Sequence, residues 1–243
     1  MSDFYRITRL TEVDSTNTYA KKIFNEGRIT EPTVIVADTQ THGRGQMQTR
    51  WHDVAGQNLL LTIILPEINL HVNQFFLLNI ATSLALGNFI GQYGSATIKW
   101  PNDILLDERK IGGILIENII VGNKIKTAFI GIGINVNQHF WPEGLRATSL
   151  FEARGVLLDL NILLIDLLAK VQHAFQFMHL PAAKNEYRKQ LYGLNQQKLY
   201  RDGGGEFIGK IIGINDEGML EIVRQNDAKV ERYNFKEIEF IFD

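Results

Sequence analysis

Two lysines, an asparagine, an aspartate and a glycine pair share the stretch KWPNDILLDERKIGGILIE, residues 99–117. Lys99 and Lys110 offer positive charge, and Pro101, Asn102 and Asp103 form a natural turn after a strand. Taken locally, this is a hairpin with a solvated lysine. Gly112 and Gly113, however, interrupt an otherwise apolar strand where side chains would help the sheet. That loss of stability points to space reserved on one face. Lys99 and Lys110 are expected on neighbouring strands, within reach of one anion.

Three other clusters carry chemistry. In QTHGRGQMQTRW, residues 40–51, Gly43 and Gly45 allow close backbone approach, and Arg44 and Arg50 can meet a carboxylate or phosphate bidentately. The loop lacks the spacing of a P-loop and the third glycine of a dinucleotide fingerprint, so a plain surface loop and an anion-binding loop both stay open. DSTN, Asp14 to Asn17, supplies helix-capping residues. Four in succession exceed what one cap needs, and a helix N-terminus also attracts polar ligand groups. In GIGIN, residues 131–135, Gly131 and Gly133 mark a buried strand whose backbone passes close to a neighbouring strand or a flat ligand.

These clusters need elements to hold them. FYRITRL is strand-like, and DSTNTYAKKIFNEG reads as a capped helix stopped by Gly27. TVIVADTQ and NLLLTIILP are apolar strands separated by a long polar loop over 41–57, a length usual for functional loops. NQFFLLNIATSLALGNFIGQYG repeats its apolar residues at helical spacing and predicts a core helix. ATIKW, ILL and IGGILIENII follow as strands, DER turning between the last two, and IKTAFIGIGINV is a further strand. Helical pattern returns from about 161 to 191, parted at Pro181. Beyond Leu194, short strands alternate with glycine- and asparagine-bearing turns. The expected fold is α+β: a mixed sheet with flanking helices over 1–193 and a small β domain over 194–243.

Composition limits the partners. Twenty-five basic and twenty-seven acidic side chains leave a net charge of −2, so no global field draws nucleic acid or an anionic membrane. The absence of cysteine removes disulfides, thiolate nucleophiles and cysteine zinc sites. His42, His52, His71, His139, His173 and His179 lack the i, i+4 pairing of a helical zinc site, and no metal ligand is assigned. MSDFYRITRL has too short an apolar run for a signal peptide and no segment is long enough to span a bilayer, so a soluble cytoplasmic protein is expected. Nothing before Phe4 has room for a DNA-reading helical module, so no DNA binding is expected.

The order STN, Q, GRG…W, KWPND, RKIGGILIE, GIGINVN resembles that of the biotin protein ligase family, over essentially the whole chain. The resemblance implies a class II synthetase-like catalytic core with a small SH3-like β-barrel. It implies that biotin and ATP form biotinyl-5′-AMP with Mg²⁺ on the phosphates, and that biotin then passes to a lysine of a biotin carboxyl carrier domain, as in acetyl-CoA carboxylase. Ser15, Thr16, Asn17, Gln40, Arg44, Gly45, Gln46, Lys110, Gly112, Leu115, Gly131 and Gly133 then bind biotin. Lys99, Asn102, Asp103, Asn135 and Trp51 serve ATP, and Lys110 and Arg44 are the catalytic cations. Where many members have Gly-Arg-Gly-Arg followed by further basic and glycine residues, this chain has Gln46, Met47 and Gln48. One cation near the adenylate is therefore missing unless Arg50 replaces it. A lipoate ligase or octanoyltransferase and a noncatalytic biotin sensor are the alternatives, and a homodimer through edge strands is compatible with the sequence.

Overall fold

A computed structural model describes residues 4–242, apart from 47, 48, 226 and 228. The Met47 and Gln48 departures lie outside the described residues. The main sheet contains β1 (Arg6–Val13), β2 (Thr33–Gln40), β3 (Asn58–Leu65), β4 (Leu70–His71), β5 (Ala96–Lys99), β6 (Asp103–Leu106), β7 (Arg109–Val121) and β8 (Lys124–Asn135). Its order is β1-β2-β3-β8-β7-β6-β5, with β4 against β8. Only the β1–β2 pairing is parallel, which makes the sheet mixed as expected.

The two faces are covered unequally. All eight residues of β3 are buried, because helices lie on both sides of it. Over one face, α1 (Thr16–Asn25) sets Ala20 and Ile23 against Ile35, Ile64 and Phe129. Over the other, α2 (Phe76–Ile90) and α4 (Leu160–Phe177) bury the larger cluster, which includes Leu61, Ile63, Leu86, Phe89, Ile134 and Leu167. α2 is buried almost all round, as an apolar helix enclosed by sheet and helices must be. Pro181 stands at the first position of α5 (Pro181–Lys189), where its missing N–H costs nothing. The short α3 (Leu150–Arg154), capped by Ser149, has no counterpart in the sequence expectations.

The chain joins its two sheets through the edge of β5. Ile98 N–H donates to Gln190 O (2.8 Å) and Tyr192 N–H to Ile98 O (2.8 Å). A second, five-stranded antiparallel sheet follows, with β9 (Gln197–Asp202), β10 (Gly205–Ile214), β11 (Leu220–Arg224), β12 (Val230–Tyr233) and β13 (Glu239–Phe240), ordered β12-β11-β10-β9-β13. It occupies the place expected for the small β domain. No helix among the described residues is long and apolar enough to cross a membrane.

The hairpin stretch differs from expectation in one respect. Lys99 ends β5 and Lys110 is the second residue of β7, with β6 between them, so the two lysines are not on neighbouring strands. The turn between β6 and β7 is so tight, with Asp107 and Glu108 both at positive φ, that a four-residue strand fits between the lysines. The strand that separates them begins with Asp103.

Candidate active site

A cleft opens on the α1 face. Ser15, Thr16, Asn17, Gln40, Arg44, Gly45, Gln46, Trp51, Asn102, Lys110, Leu115, Gly131 and Gly133 all line it. The structure thus gathers residues from four separate stretches of sequence.

Beneath α1 stands a wall of hydrogen-bonding side chains. Gln40, the last residue of β2, accepts through Oε1 from Thr16 N–H (2.8 Å) and Thr16 Oγ1 (3.1 Å), locking the helix start to the strand end. Ser15 stands at the N-cap without a side-chain cap bond. Asn17 is pinned from three sides. Its Oδ1 accepts from Thr62 Oγ1 (2.6 Å), and its Nδ2 donates to Glu117 Oε2 (2.9 Å) and Leu115 O (3.3 Å). Gly131 makes this possible, since a Cβ there would lie 2.6 Å from Asn17 Oδ1. Sequence reasoning missed Thr62 and Glu117, whose partner Asn17 lies far away along the chain.

Glu117 gathers charge at the same end. Its carboxylate accepts from Lys21 Nζ (2.6 Å), and Arg44 Nη2 lies 3.7 Å away while donating to Thr18 Oγ1 (2.9 Å). Burial pushes the Glu117 pKa up, but the hydrogen bonds from Lys21 and Asn17 and the positive charge of Lys21 and Arg44 outweigh it. Glu117 therefore titrates below the ordinary glutamate range.

The 41–57 loop folds back on itself. Trp51 N–H donates to Gly43 O (2.9 Å), Gly45 N–H to Thr49 O (2.7 Å), and Arg44 bridges Arg50. This places the Trp51 indole on bare backbone: a Cβ on Gly133 would meet its Cζ2 at 2.7 Å, and one on Gly113 its Cζ3 at 3.3 Å. The buried Trp51 Nε1 has no hydrogen-bond partner among the described residues. The Gly112 expectation needs correction here. Gly113 lines the cleft, whereas a Cβ on Gly112 would face Ile104, Ile134 and the Gly133 carbonyl. The register shift between β6 and β7 turns that strand face over.

The other end is charged. Lys110 Nζ sits 2.6 Å from Asp103 Oδ1 and 5.8 Å from the centroid of the Trp51 ring. Lys99 Nζ lies 3.7 Å from Asp103 Oδ2, so two ammonium groups share one carboxylate. Burial lowers the Lys99 pKa and the Lys110 charge lowers it further, against the opposing pull of Asp103. Asn102 holds the turn by donating from Nδ2 to Ile114 O (2.8 Å). Asp103 and Lys99 stand outside the cleft lining, behind Lys110.

Asn135 lies in an adjoining recess with Arg50, Trp51, His52, Lys110, Trp141, Leu145 and Ala147. Its amide donates to Thr148 O at 3.0 Å. Trp51 and Lys110 belong to both recesses, so an indole and an ammonium form the partition between a polar cleft and a more apolar one. No cluster of three or more metal-ligating side chains occurs among the described residues.

The cleft and the sheet that carries it define a class. The chain belongs to the biotin/lipoate A/B protein ligase family, whose model matches residues 10–135. Among individual relatives it is 33% identical over 225 residues to the bifunctional ligase/repressor BirA of Bacillus spizizenii, covering 89% of this chain and 69% of that protein. It is 28% identical over 222 residues to the biotin–[acetyl-CoA-carboxylase] ligase of Paracoccus denitrificans, covering 87% of this chain and 91% of that one. The biotin protein ligase of Aquifex aeolicus, solved with biotin and ATP, superposes with a TM-score of 0.76 at 26% identity, over 98% of this chain and 99% of that one.

Proposed function

We propose that this protein is a biotin protein ligase that uses ATP to activate biotin and transfers it to a lysine of a biotin carboxyl carrier domain. The observation that carries the reading is the pair of recesses meeting at Lys110. One is polar, rich in fixed hydrogen-bonding groups and lined by Arg44, and the other is more apolar and bordered by Arg50. The Aquifex aeolicus ligase of the same fold was solved with biotin and ATP.

The chemistry follows from that placement. Biotin's ureido group needs partners for its buried N–H and C=O groups, and the Thr16, Asn17 and Gln40 wall provides them. Its carboxylate then points towards Lys110, and the nucleotide base takes the recess of Trp51, Trp141 and Leu145. A carboxylate oxygen attacks the α-phosphorus of ATP, the bond to the β-phosphate oxygen breaks, and pyrophosphate leaves. Two anions must approach for this, so a preplaced ammonium at the junction lowers the barrier. Lys110 would supply that ammonium, and its ion pair with Asp103 supports the reading. In the second step the neutral amine of the acceptor lysine attacks the acyl carbon, AMP departs with the bonding pair, and the amine loses a proton.

Two further parts of the reading concern Arg44 and Mg²⁺. Arg44, which lines the cleft, would meet the biotin carboxylate in exchange for its contacts with Thr18 and Glu117. Mg²⁺ would arrive on the triphosphate, where Asp103, beside Lys110, would be the carboxylate to hold it. A single carboxylate suits an ion that keeps phosphate and water ligands. When bound, it neutralises phosphate charge.

The test is ATP–pyrophosphate exchange with biotin or lipoate as the acid. Exchange that depends on biotin is expected, and exchange dependent on lipoate alone would overturn the reading. Because Gln46 stands where many members carry arginine, Gln46→Arg is expected to slow release of biotinyl-AMP. Equal release rates would remove that role from position 46.

A further inference from the structure

Lys99 is embraced from the second sheet. Its ammonium lies 5.5 Å from the Phe240 ring centroid and 5.4 Å from that of Phe242. Phe242 also carries the Arg146 guanidinium over its ring at 4.8 Å. The backbone of Arg146 in turn borders the catalytic strand, because its carbonyl accepts from Lys110 N–H at 3.0 Å. The two rings thus contact cations on both sides of Lys110.

The rings are themselves held. Phe242 stacks on Tyr192 with centroids 5.6 Å apart, and Phe240 meets Tyr200 edge-on at 5.3 Å. Between them, Ile241 N–H donates to Leu199 O at 3.0 Å. An ammonium set against aromatic faces is attracted by the ring quadrupoles and is shielded from water by the same rings. Without them Lys99 would be left to Asp103, in competition with Lys110 for one carboxylate, and to the more distant Glu239.

We propose that Phe240 and Phe242 are positioning residues for the nucleotide half of the reaction. By holding Lys99 and Arg146, they keep Asp103 committed to Lys110 and keep the phosphate side of the site cationic. The inference rests on the ligase reading above. It makes the second sheet part of ATP use, although neither ring lines the cleft or the adjoining recess.

The experiment uses the full chain carrying Phe240→Leu and Phe242→Leu together, and a companion with tyrosine at both places. Leucine keeps apolar bulk and removes the ring, whereas tyrosine keeps the ring. Biotin-dependent ATP–pyrophosphate exchange is measured with ATP varied and then with biotin varied. The leucine pair is expected to raise KM for ATP about tenfold, the scale of a desolvated cation–π contact, with KM for biotin within about twofold of the unaltered chain. The tyrosine pair is expected to restore KM for ATP to within about twofold. An unchanged KM for ATP, a parallel rise in both KM values, or a tyrosine pair as impaired as the leucine pair would overturn the proposal. Absence of biotin-dependent exchange in the unaltered chain would instead overturn the ligase reading, and this inference with it.

Discussion

The two ends of the cleft each set one carboxylate between two cations, Glu117 between Lys21 and Arg44 and Asp103 between Lys110 and Lys99, but the α1 end adds a wall of side-chain hydrogen bonds. At the α1 end, Thr16, Asn17, Gln40 and Thr62 satisfy one another, so the wall is fixed before any ligand arrives. At the Lys110 end, one carboxylate serves two ammonium groups, leaving positive charge in excess. A neutral, hydrogen-bonding part of a ligand gains from rigid partners already in place, because little is lost in ordering them. An anionic part gains from unbalanced charge, because the protein alone does not neutralise it.

This contrast predicts separable losses. The largest effect is expected from Lys110→Ala, which removes the cation at the junction. Its exchange rate at saturating substrates should fall about 10²–10³-fold, as for other groups that stabilise developing charge. A matched fall in biotin affinity alone would place Lys110 in binding instead. Next comes Gly131→Ala. The added methyl would press on Asn17 Oδ1, which Thr62, Leu115 and Glu117 prevent from retreating. Biotin affinity, measured by calorimetry, should weaken about 10–100-fold through lost or strained buried hydrogen bonds, while KM for ATP stays within about twofold.

The smallest effect is expected from Glu117→Gln, which removes charge from the α1 end but keeps a group that can still accept from Asn17. At neutral pH biotin affinity should change only about threefold, a typical loss for a partly exposed ion-pair contact. Its value lies in the pH profile. The Glu117 pKa is lower in the folded protein, so its stabilising contribution is fully present above the unfolded glutamate pKa and is lost as pH falls through the folded one. Thermal melting should show a steeper loss below about pH 4.3 in the unaltered chain than in the variant. Parallel melting curves across that range would remove Glu117 from the network.

Much of the α1 end was legible in sequence because its residues are local. DSTN reads as a helix start, and TVIVADTQ as a strand ending on Gln40. The alternation in GIGIN puts Gly131 and Gly133 on one face, and Ser15, Thr16, Asn17, Gln40, Gly131 and Gly133 line the cleft. What could not be read depends on distance or register. Asn17 and Glu117 stand 100 positions apart, and no periodicity joins them. Gly112 and Gly113 are adjacent, so the choice between them turns on the register shift opposite Ile104 and Leu105, which a side-chain pattern does not record. ATIKW, ILL and IGGILIENII were each legible as strands, but the expectation that Lys99 and Lys110 stand on neighbouring ones passed over the middle strand, β6, which lies between β5 and β7. α3, at five residues, is likewise below the length at which helical spacing appears.

Trp100 carries a consequence for how the chain folds. Its indole N–H donates to Gly218 O at 2.9 Å, and its ring lies 5.2 Å from that of Phe235. One apolar cluster runs without a break from Phe76 and Trp100 to Tyr200, Ile211 and Tyr233. Two sheets that share a core cannot melt apart without exposing it, so their unfolding is coupled. Calorimetry should give one transition, with Trp100→Phe, which strands the buried Gly218 carbonyl, moving the whole of it downward rather than splitting off a low-temperature shoulder.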